Sequence, residues 1–260
     1  ECFVGSGANC GGVIVPLMTL FMPSRWAIHY FPEVTSTQDV AKQLIAEGAS
    51  GFFVVRADHQ TSGRGRAGRG WSSLSGNLQA TFSVPMTFDV ALAANYSFVA
   101  AVALSQTVLE FVGEECCIEH KWPNDVWING KKLAGILLEI HEPYLLMGIG
   151  LNISHAPEDA AYLNQVLSND VGVVDFLDRF LVNLDAQMGV LECDGFLVLL
   201  DRWLDRARGL GQVITVRTLQ ESFSGVFDGL ESDGALRVKM DNGAGMKIVH
   251  SADVFFGKDL

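Results

Sequence analysis

The dipeptide Asn129-Gly130 is the local feature that most restricts how this chain folds. A two-residue type I′ turn needs positive φ at both central positions, and Asn-Gly meets that need most readily. β-Branched and apolar residues flank the dipeptide at 126–128 and 133–140, which predicts an antiparallel hairpin. A β-sheet is therefore expected in the middle of the chain.

Helical and strand patterns surround this hairpin. A capping box formed by Ser36 and Asp39 predicts the start of a helix that Gly48 ends. Further helices are predicted at 96–112, 173–191 and 195–208, and further strands at 52–56, 78–84, 116–122 and 144–153. This mixture predicts an α+β fold.

The pattern changes at about residue 210. Short β-branched segments at 213–216, 223–227, 236–240 and 247–249 are separated by turn sequences. This spacing predicts a small β-barrel. We therefore divide the chain into an N-terminal extension at 1–24, a main domain at 25–209 and a β domain at 210–260.

The extension at 1–24 has no Lys or Arg, so it lacks the basic start of a secretory signal. Its apolar run at 13–22 is too short to cross a bilayer and contains Pro16. We expect an upstream extension here, with Met18 or Met22 as a natural start, in preference to a membrane anchor.

Charge and cysteine content limit the partners and the compartment. The formal net charge is −12, which disfavours a broad surface for nucleic acid or anionic membrane. The five cysteines are unevenly spaced, form no CxxC pair and have no histidine cluster beside them. This indicates reduced thiols in the cytoplasm and predicts no metal site.

One strongly basic loop contrasts with this acidic background. Residues 59–71 read HQTSGRGRAGRGW, with three arginines and four glycines. Such a loop can cradle phosphate, grip single-stranded nucleic acid or act as a solvated linker. A nucleic-acid grip would be accompanied by repeated Arg-Gly runs and a basic chain, which this sequence lacks.

Glycines interrupt two of the predicted strands. Lys132 follows the hairpin turn, and Gly135 leaves a gap beside it where a ligand or backbone can approach. This lysine is either an anchor for a carboxylate or phosphate or a solvated side chain. Gly148 and Gly150 remove side chains from one strand face, either for tight packing or to admit a flat group.

Together these segments resemble the biotin–protein ligase family. The family's motifs stand here as the loop at 63–71, KWPND at 121–125, KLAG at 132–135, GIGLN at 148–152 and Ser-Thr-Gln at 36–38. The resemblance implies a mixed-sheet catalytic domain with an SH3-like C-terminal barrel. It also implies that biotin and ATP form biotinyl-5′-adenylate, from which biotin passes to a lysine of a biotin carboxyl carrier domain.

The resemblance assigns roles by motif position. It implies that Lys132 and Arg66 are catalytic, that Trp71 flanks adenine, and that the loop orders as a lid over the adenylate. The implied contacts with biotin and the nucleotide are Ser36, Thr37, Gln38, Gln60, Arg64, Gly65, Arg66, Trp71, Lys121, Asn124, Lys132, Gly135, Gly148 and Asn152. Mg²⁺ is implied by the use of ATP, without a recognisable set of ligands.

The chain departs from the family pattern at two positions. Gln38 replaces the usual Asn, and Ala67 stands where the loop often has another basic residue. The short glycine-rich stretch before Ser36 has no basic recognition helix, so we expect a ligase without a DNA-binding domain. No membrane partner is expected, and the sequence allows a homodimer. A lipoate-type ligase is the nearest enzymatic alternative.

Overall fold

The computed structural model describes residues 25–113, 115–240 and 245–257. The interpretation of residues 1–24 as an extension therefore lies outside the described residues. The described part contains four α-helices and twelve β-strands, with the strands arranged in two sheets.

A seven-stranded sheet forms the centre of the main domain. Its strands are β1 (Ala27–Val34), β2 (Phe53–Gln60), β3 (Leu78–Pro85), β4 (Ile118–Lys121), β5 (Asp125–Ile128), β6 (Lys131–His141) and β7 (Tyr144–Leu151). Their order across the sheet is β1-β2-β3-β7-β6-β5-β4. The β1–β2 pair is parallel and the other neighbours are antiparallel, so the sheet is mixed as predicted.

The predicted hairpin is confirmed. Asn129 has a φ of 49° and Gly130 a φ of 77°, and the two residues join β5 to β6. Strand β1 was not predicted, although it pairs with β2 along most of its length. β1 is an edge strand with mostly exposed side chains, so it lacks the apolar alternation that reveals a strand.

Helices cover the two faces of this sheet unequally. Helix α1 (Thr37–Ala46) packs on one face with Phe53, Val55 and Leu146. Helix α2 (Asn95–Val112), helix α3 (Val173–Cys193) and helix α4 (Phe196–Leu204) contribute to the larger core on the other face. Helix α1 has only ten residues, so it covers only part of this face of the sheet. The candidate site lies on the part that α1 leaves open.

The capping box predicted for α1 is wrong. Ser36 occupies the N-cap position but its side chain makes no capping hydrogen bond. The Asp39 carboxylate accepts hydrogen bonds from Arg64 and so is bound to the basic loop. Asp39 therefore forms a tertiary ion pair with Arg64 in place of the predicted capping interaction.

The C-terminal β domain is a five-stranded antiparallel sheet. It consists of β8 (Val213–Arg217), β9 (Ser222–Leu230), β10 (Leu236–Lys239), β11 (Met246–Val249) and β12 (Asp253–Phe256), in the order β11-β10-β9-β8-β12. Strand β12 was not predicted. The β domain contacts the main domain where the Trp122 indole donates to the Gly234 carbonyl at 3.0 Å.

Among the described residues, one segment is long and apolar enough to cross a membrane. It runs from Val90 to Val112 and includes α2, and 72% of its apolar window is buried inside the fold. Burial by the protein's own core accounts for its composition, because a core helix that is covered on most sides is apolar nearly all round.

Candidate functional site

A pocket of about 210 Å³ opens on the face of the seven-stranded sheet that carries α1. Its walls are the start of α1, the basic loop, the glycine-containing parts of β6 and β7, and β12 from the C-terminal domain. The predicted residues that line it are Ser36, Thr37, Gln38, Gln60, Arg64, Gly65, Arg66, Trp71, Lys121, Asn124, Lys132, Gly135 and Gly148. Segments that are far apart in the sequence therefore meet in one cavity.

Asn152 is the one predicted residue outside this lining. It is buried just beyond the end of β7, where its amide nitrogen donates to the Ala161 carbonyl at 3.1 Å. Its amide oxygen lies 3.5 Å from the Asn77 amide nitrogen. These contacts give Asn152 a structural role in holding the segment after β7.

Hydrogen bonds fix the start of α1 against the sheet. The backbone and hydroxyl of Thr37 both donate to the Gln60 amide oxygen, at 2.9 and 3.1 Å. Thr81 on β3 donates to the Thr37 hydroxyl at 2.8 Å. Because Gln60 accepts from α1 with its oxygen, its amide nitrogen faces Ser73 at 3.3 Å. This network holds several polar side chains at one end of the pocket.

Gln38 extends across Gly148. Its amide nitrogen donates to the Leu137 carbonyl at 3.3 Å, and a Cβ added to Gly148 would lie 3.2 Å from the Gln38 amide carbon. The longer side chain that departs from the family pattern therefore reaches a backbone acceptor on β6, while the glycine leaves room for it.

The basic loop folds back on itself over the pocket. Its ends are joined by the Trp71 backbone N–H, which donates to the Gly63 carbonyl at 2.9 Å. Closer to the tip, the Gly65 N–H donates to the Arg69 carbonyl at 2.7 Å. Ala67 adopts a left-handed conformation at the tip, with a φ of 53°, which is a strained backbone for alanine. The loop thus forms a compact turn with tied ends.

Its three arginines contact three different parts of the protein. Arg64 forms a bidentate ion pair with Asp39 on α1, at 2.7 and 2.8 Å. Arg66 reaches Asn124 at 3.4 Å and Ser251 at 3.0 Å. Arg69 pairs with Asp253 on β12 at 2.9 Å. Contacts on both sides of the pocket therefore hold the loop in place.

The pKa values of two loop arginines move in opposite directions. The hydrogen bonds that Arg64 donates to Asp39 raise the pKa of Arg64 and lower the pKa of the Asp39 carboxyl. Burial lowers the pKa of Arg66, since it withdraws the guanidinium from water. Arg66 is thus a partly desolvated cation, which an anion in the pocket would stabilise.

The Trp71 indole lies on the glycines of β6 and β7. A Cβ added to Gly150 would lie only 2.2 Å from an indole carbon, and one added to Gly135 would lie 3.3 Å from another. Gly135 and Gly150 face each other across the β6–β7 ladder. The flat group that occupies the space above these two glycines is therefore the Trp71 side chain of the protein itself.

Gly135 and Gly150 form a glycine patch beneath the Trp71 indole, and the Lys132 ammonium group lies at its edge. Its ammonium group pairs with the Asp125 carboxylate at 2.7 Å and lies 5.8 Å from the centre of the Trp71 ring. Its neighbour Lys131 is exposed and donates to the Glu158 carbonyl, away from the pocket. The structure thus assigns different surroundings to two adjacent lysines.

Several lining residues were missed as site residues. Asp125 stands within the KWPND motif and Gly150 within GIGLN, so both motifs already contained them. Arg69 belongs to the basic loop, whereas Asp253, Val254 and Phe255 belong to the undetected strand β12. No local signal in the sequence connects β12 with the main domain.

A metal site formed by the protein alone is absent from the described parts of the chain. Within residues 25–113, 115–240 and 245–257, no group of three or more His, Cys, Asp or Glu side chains is arranged to hold a metal ion. Asp125 and Asp253 are the two carboxylates in the pocket lining, and each is paired with a cation.

Comparison with known families identifies two segments. Residues 30–152 match the biotin/lipoate A/B protein ligase family, and residues 209–257 match the biotin protein ligase C-terminal domain. The first match includes most of β1, all of β2 to β7 and the basic loop, and the second includes the C-terminal sheet.

Individual relatives agree with these matches. A biotin--[acetyl-CoA-carboxylase] ligase of Paracoccus denitrificans is 34% identical over 86% of this chain and 98% of its own. The bifunctional ligase/repressor BirA of Bacillus subtilis is 31% identical over 88% of this chain and 73% of its own. A solved biotin protein ligase of Aquifex aeolicus, in complex with biotin and ATP, superposes with a TM-score of 0.76 at 25% identity, covering 88% of this chain and 97% of that one.

Proposed function

The chain belongs to the biotin--[acetyl-CoA-carboxylase] ligase family, and we propose that the pocket beneath its basic loop is where biotin and ATP react. The protein is an ATP-dependent ligase that attaches biotin to the carrier protein of a carboxylase. The observation that carries the proposal for the pocket is the convergence of Lys132, Arg66 and the glycine patch in one cavity.

In the first half-reaction, the biotin carboxylate attacks the α-phosphorus of ATP. A bond forms between a carboxylate oxygen and phosphorus, the bond to the bridging oxygen breaks, and diphosphate leaves. Both reactants are anions, so the main requirement is fixed positive charge where negative charge develops. Lys132 and the desolvated Arg66, which both line the pocket, supply this charge.

Asp125 gives Lys132 a defined orientation before substrate binds. The 2.7 Å ion pair restricts a flexible side chain to the edge of the glycine patch. An arriving carboxylate or phosphate shares the ammonium group, which has three donors. Orienting the cation in advance reduces the reorganisation that the reaction would otherwise require.

The polar end of the pocket suits the uncharged ring of biotin. Ser36, Thr37, Gln38 and Gln60 present hydroxyl and amide groups there, and none of them carries a charge. A cyclic urea needs both donors and acceptors, which hydroxyl and amide side chains provide. The side chains of Thr37, Gln38 and Gln60 are fixed by hydrogen bonds to each other and to the sheet, so this part of the pocket is preformed.

The loop protects the product of this step. A mixed anhydride such as biotinyl-5′-adenylate is readily hydrolysed, so a loop held over it excludes water. In the second half-reaction, the neutral amine of the carrier lysine attacks the biotinyl carbonyl carbon. An amide bond forms, AMP leaves with the electrons of the broken carbon–oxygen bond, and the amine loses a proton.

Mg²⁺ would enter mainly with ATP. This ion is commonly held by one or two carboxylates together with substrate phosphates. Asp125 lines the pocket beside Lys132 and fits that limited role, so it is the residue we assign to an ATP-bound Mg²⁺. The ion would supply further neutralisation of phosphate charge.

The remaining expectations about partners keep the status of predictions. They are a cytoplasmic location and the absence of nucleic-acid and membrane partners, while the sequence allows a homodimer without requiring one. The oligomeric state is left open. The net charge of −12 and the restriction of Arg-Gly sequence to one loop support the absence of nucleic-acid and membrane partners.

Biotin-dependent release of diphosphate from ATP tests the proposal. We expect release with biotin and much less with lipoate or octanoate, followed by biotin transfer to a biotin carboxyl carrier domain. A folded protein that releases diphosphate with lipoate or octanoate, but not with biotin, would favour the lipoate-type alternative.

A further inference from the structure

We propose that Gly150 is a positioning residue that acts through Trp71. Its missing side chain lets the indole lie on β7, and the seated indole fixes the loop that carries Arg64 and Arg66. The inference deepens the proposed function, on which it rests for its meaning in catalysis.

The contact between the two residues leaves no room for a side chain. A Cβ on Gly150 would meet three indole atoms, Cε2 at 2.2 Å, Cζ2 at 2.4 Å and Nε1 at 2.7 Å. These atoms lie on and next to the bond shared by the two rings, so a small tilt does not relieve the overlap. Alanine at position 150 would therefore displace the indole from its seat.

The backbone at Gly150 would accept alanine. Its φ lies outside the left-handed region that favours glycine, and it pairs normally with Gln79 and Gly135 in the sheet. Among the described residues, twelve other glycines have positive φ and would be strained by substitution. Glycine at position 150 is thus required by the indole and not by the strand.

The seated indole is connected directly to the base of the loop. The backbone N–H of Trp71 donates to the Gly63 carbonyl and so closes the loop. A Cβ on Gly63 would lie 2.8 Å from the Trp71 carbonyl oxygen. Because the Trp71 backbone is part of this base, we expect a ring that is forced away from Gly150 to shift this end of the loop. The orientation of Arg66 over the pocket depends on that end.

The Trp71 ring is not held by a hydrogen bond of its indole N–H. This N–H is buried and has no hydrogen-bond partner among the described residues. What holds the ring is its fit against Gly135 and Gly150 and its proximity to the Lys132 ammonium group. A loss of fit at Gly150 is therefore not offset by a remaining hydrogen bond of the indole.

Hydrogen exchange of the ligand-free protein tests the seat without relying on ligase activity. In the Gly150→Ala protein, we expect the backbone amides of Gly65 and Trp71 to exchange about tenfold faster than in wild type. Overpacking destabilises the closed loop, and the free energy that it typically costs corresponds to about that change in the exchange rate. A Gly189→Ala protein is the matched control, since an added Cβ there meets nothing within 4 Å. Wild-type exchange in the Gly150→Ala protein would overturn the proposal.

A double-mutant cycle with Trp71→Ala separates positioning from a general effect on the strand. The Gly150→Ala/Trp71→Ala protein should match Trp71→Ala alone in loop exchange and in retention of biotinyl-adenylate, because the clash exists only with the indole present. Additive losses would overturn the proposal. If wild type makes no adenylate, the proposed function fails, while the exchange data still decide whether Gly150 seats Trp71.

Discussion

Arg69 in the basic loop and Asp253 on β12 form an ion pair of 2.9 Å that joins the loop to the C-terminal domain. The two residues are 184 positions apart in the chain. Ser251 adds a second connection, by accepting a hydrogen bond from Arg66 at 3.0 Å. The C-terminal domain is therefore part of the structure that holds the loop over the pocket.

Reversing either charge of this pair should loosen the loop. We expect Arg69→Asp or Asp253→Arg to speed the dissociation of biotinyl-adenylate about twofold to fivefold, which is the range for an exposed ion pair. The Arg69→Asp/Asp253→Arg protein should recover most of the loss, as measured by retention of labelled adenylate. Charge exchange of the Arg179–Glu110 pair, which lies away from the pocket, is the control. If the double mutant lost adenylate as fast as the two single effects combined predict, the result would contradict the pairing.

Removal of the Lys132 ammonium group should impair adenylate formation. We expect Lys132→Ala to reduce biotin-dependent diphosphate release by about a hundredfold, on the order of 3 kcal/mol of charge stabilisation. Lys131→Ala is the matched control, because that exposed lysine donates to the Glu158 carbonyl outside the pocket. Near-wild-type release from the Lys132→Ala protein would mean that Lys132 is a solvated hairpin lysine.

Loss of Arg66 should separate the synthesis of the intermediate from its retention. In the Arg66→Gly protein, Ser36, Gln60 and Lys132 remain in place, so some adenylate should still form. The loop loses its contacts with Asn124 and Ser251, and the escaping adenylate should acylate exposed lysines. Biotin incorporation into serum albumin should therefore rise relative to labelling of the carrier. Arg66→Lys keeps the charge, so its ratio of albumin labelling to carrier labelling should lie between those of wild type and Arg66→Gly. An unchanged ratio in Arg66→Gly would show that Arg66 does not help the loop to retain the adenylate.

A buried histidine predicts how stability depends on pH. His120 on β4 contacts the Trp203 carbonyl and the Ser105 hydroxyl, each at 2.9 Å, and burial lowers its pKa from 6.5 to about 4. Between these values the unfolded chain takes up a proton that the folded protein excludes. The free energy of unfolding should therefore fall by about 3 kcal/mol as the pH decreases from above 6.5 to below 4.

Urea unfolding at a series of pH values checks this slope. In the His120→Gln protein, which has no titrating group at this position, the contribution should disappear even if the overall stability is lower. An equally steep dependence in both proteins would assign it to other titrating groups. The Asp39 carboxyl is not one of them, because Arg64 lowers its pKa and its effect on stability falls at more acidic pH.

Local chemistry accounts for the features that could be predicted. The Asn129-Gly130 turn, the buried helix α2 and the central strands follow from backbone preference and apolar periodicity, which act over a few neighbouring residues. Of the fourteen residues predicted from the family resemblance, thirteen line the pocket. The edge strand β1 and the short strand β12 escaped detection, since neither has an alternation strong enough to reveal it.

The sequence by itself determined the α+β class, the hairpin and the residue types available for binding anions. The tertiary structure alone decided that Asp39 binds Arg64 in place of capping α1, that Trp71 lies on Gly150, and that Asp253 lies in the pocket lining. The physical reason is that steric fit and ion pairing depend on distances across the folded chain. Local patterns carry no information about those distances until the sheet and the C-terminal domain have brought the partners together.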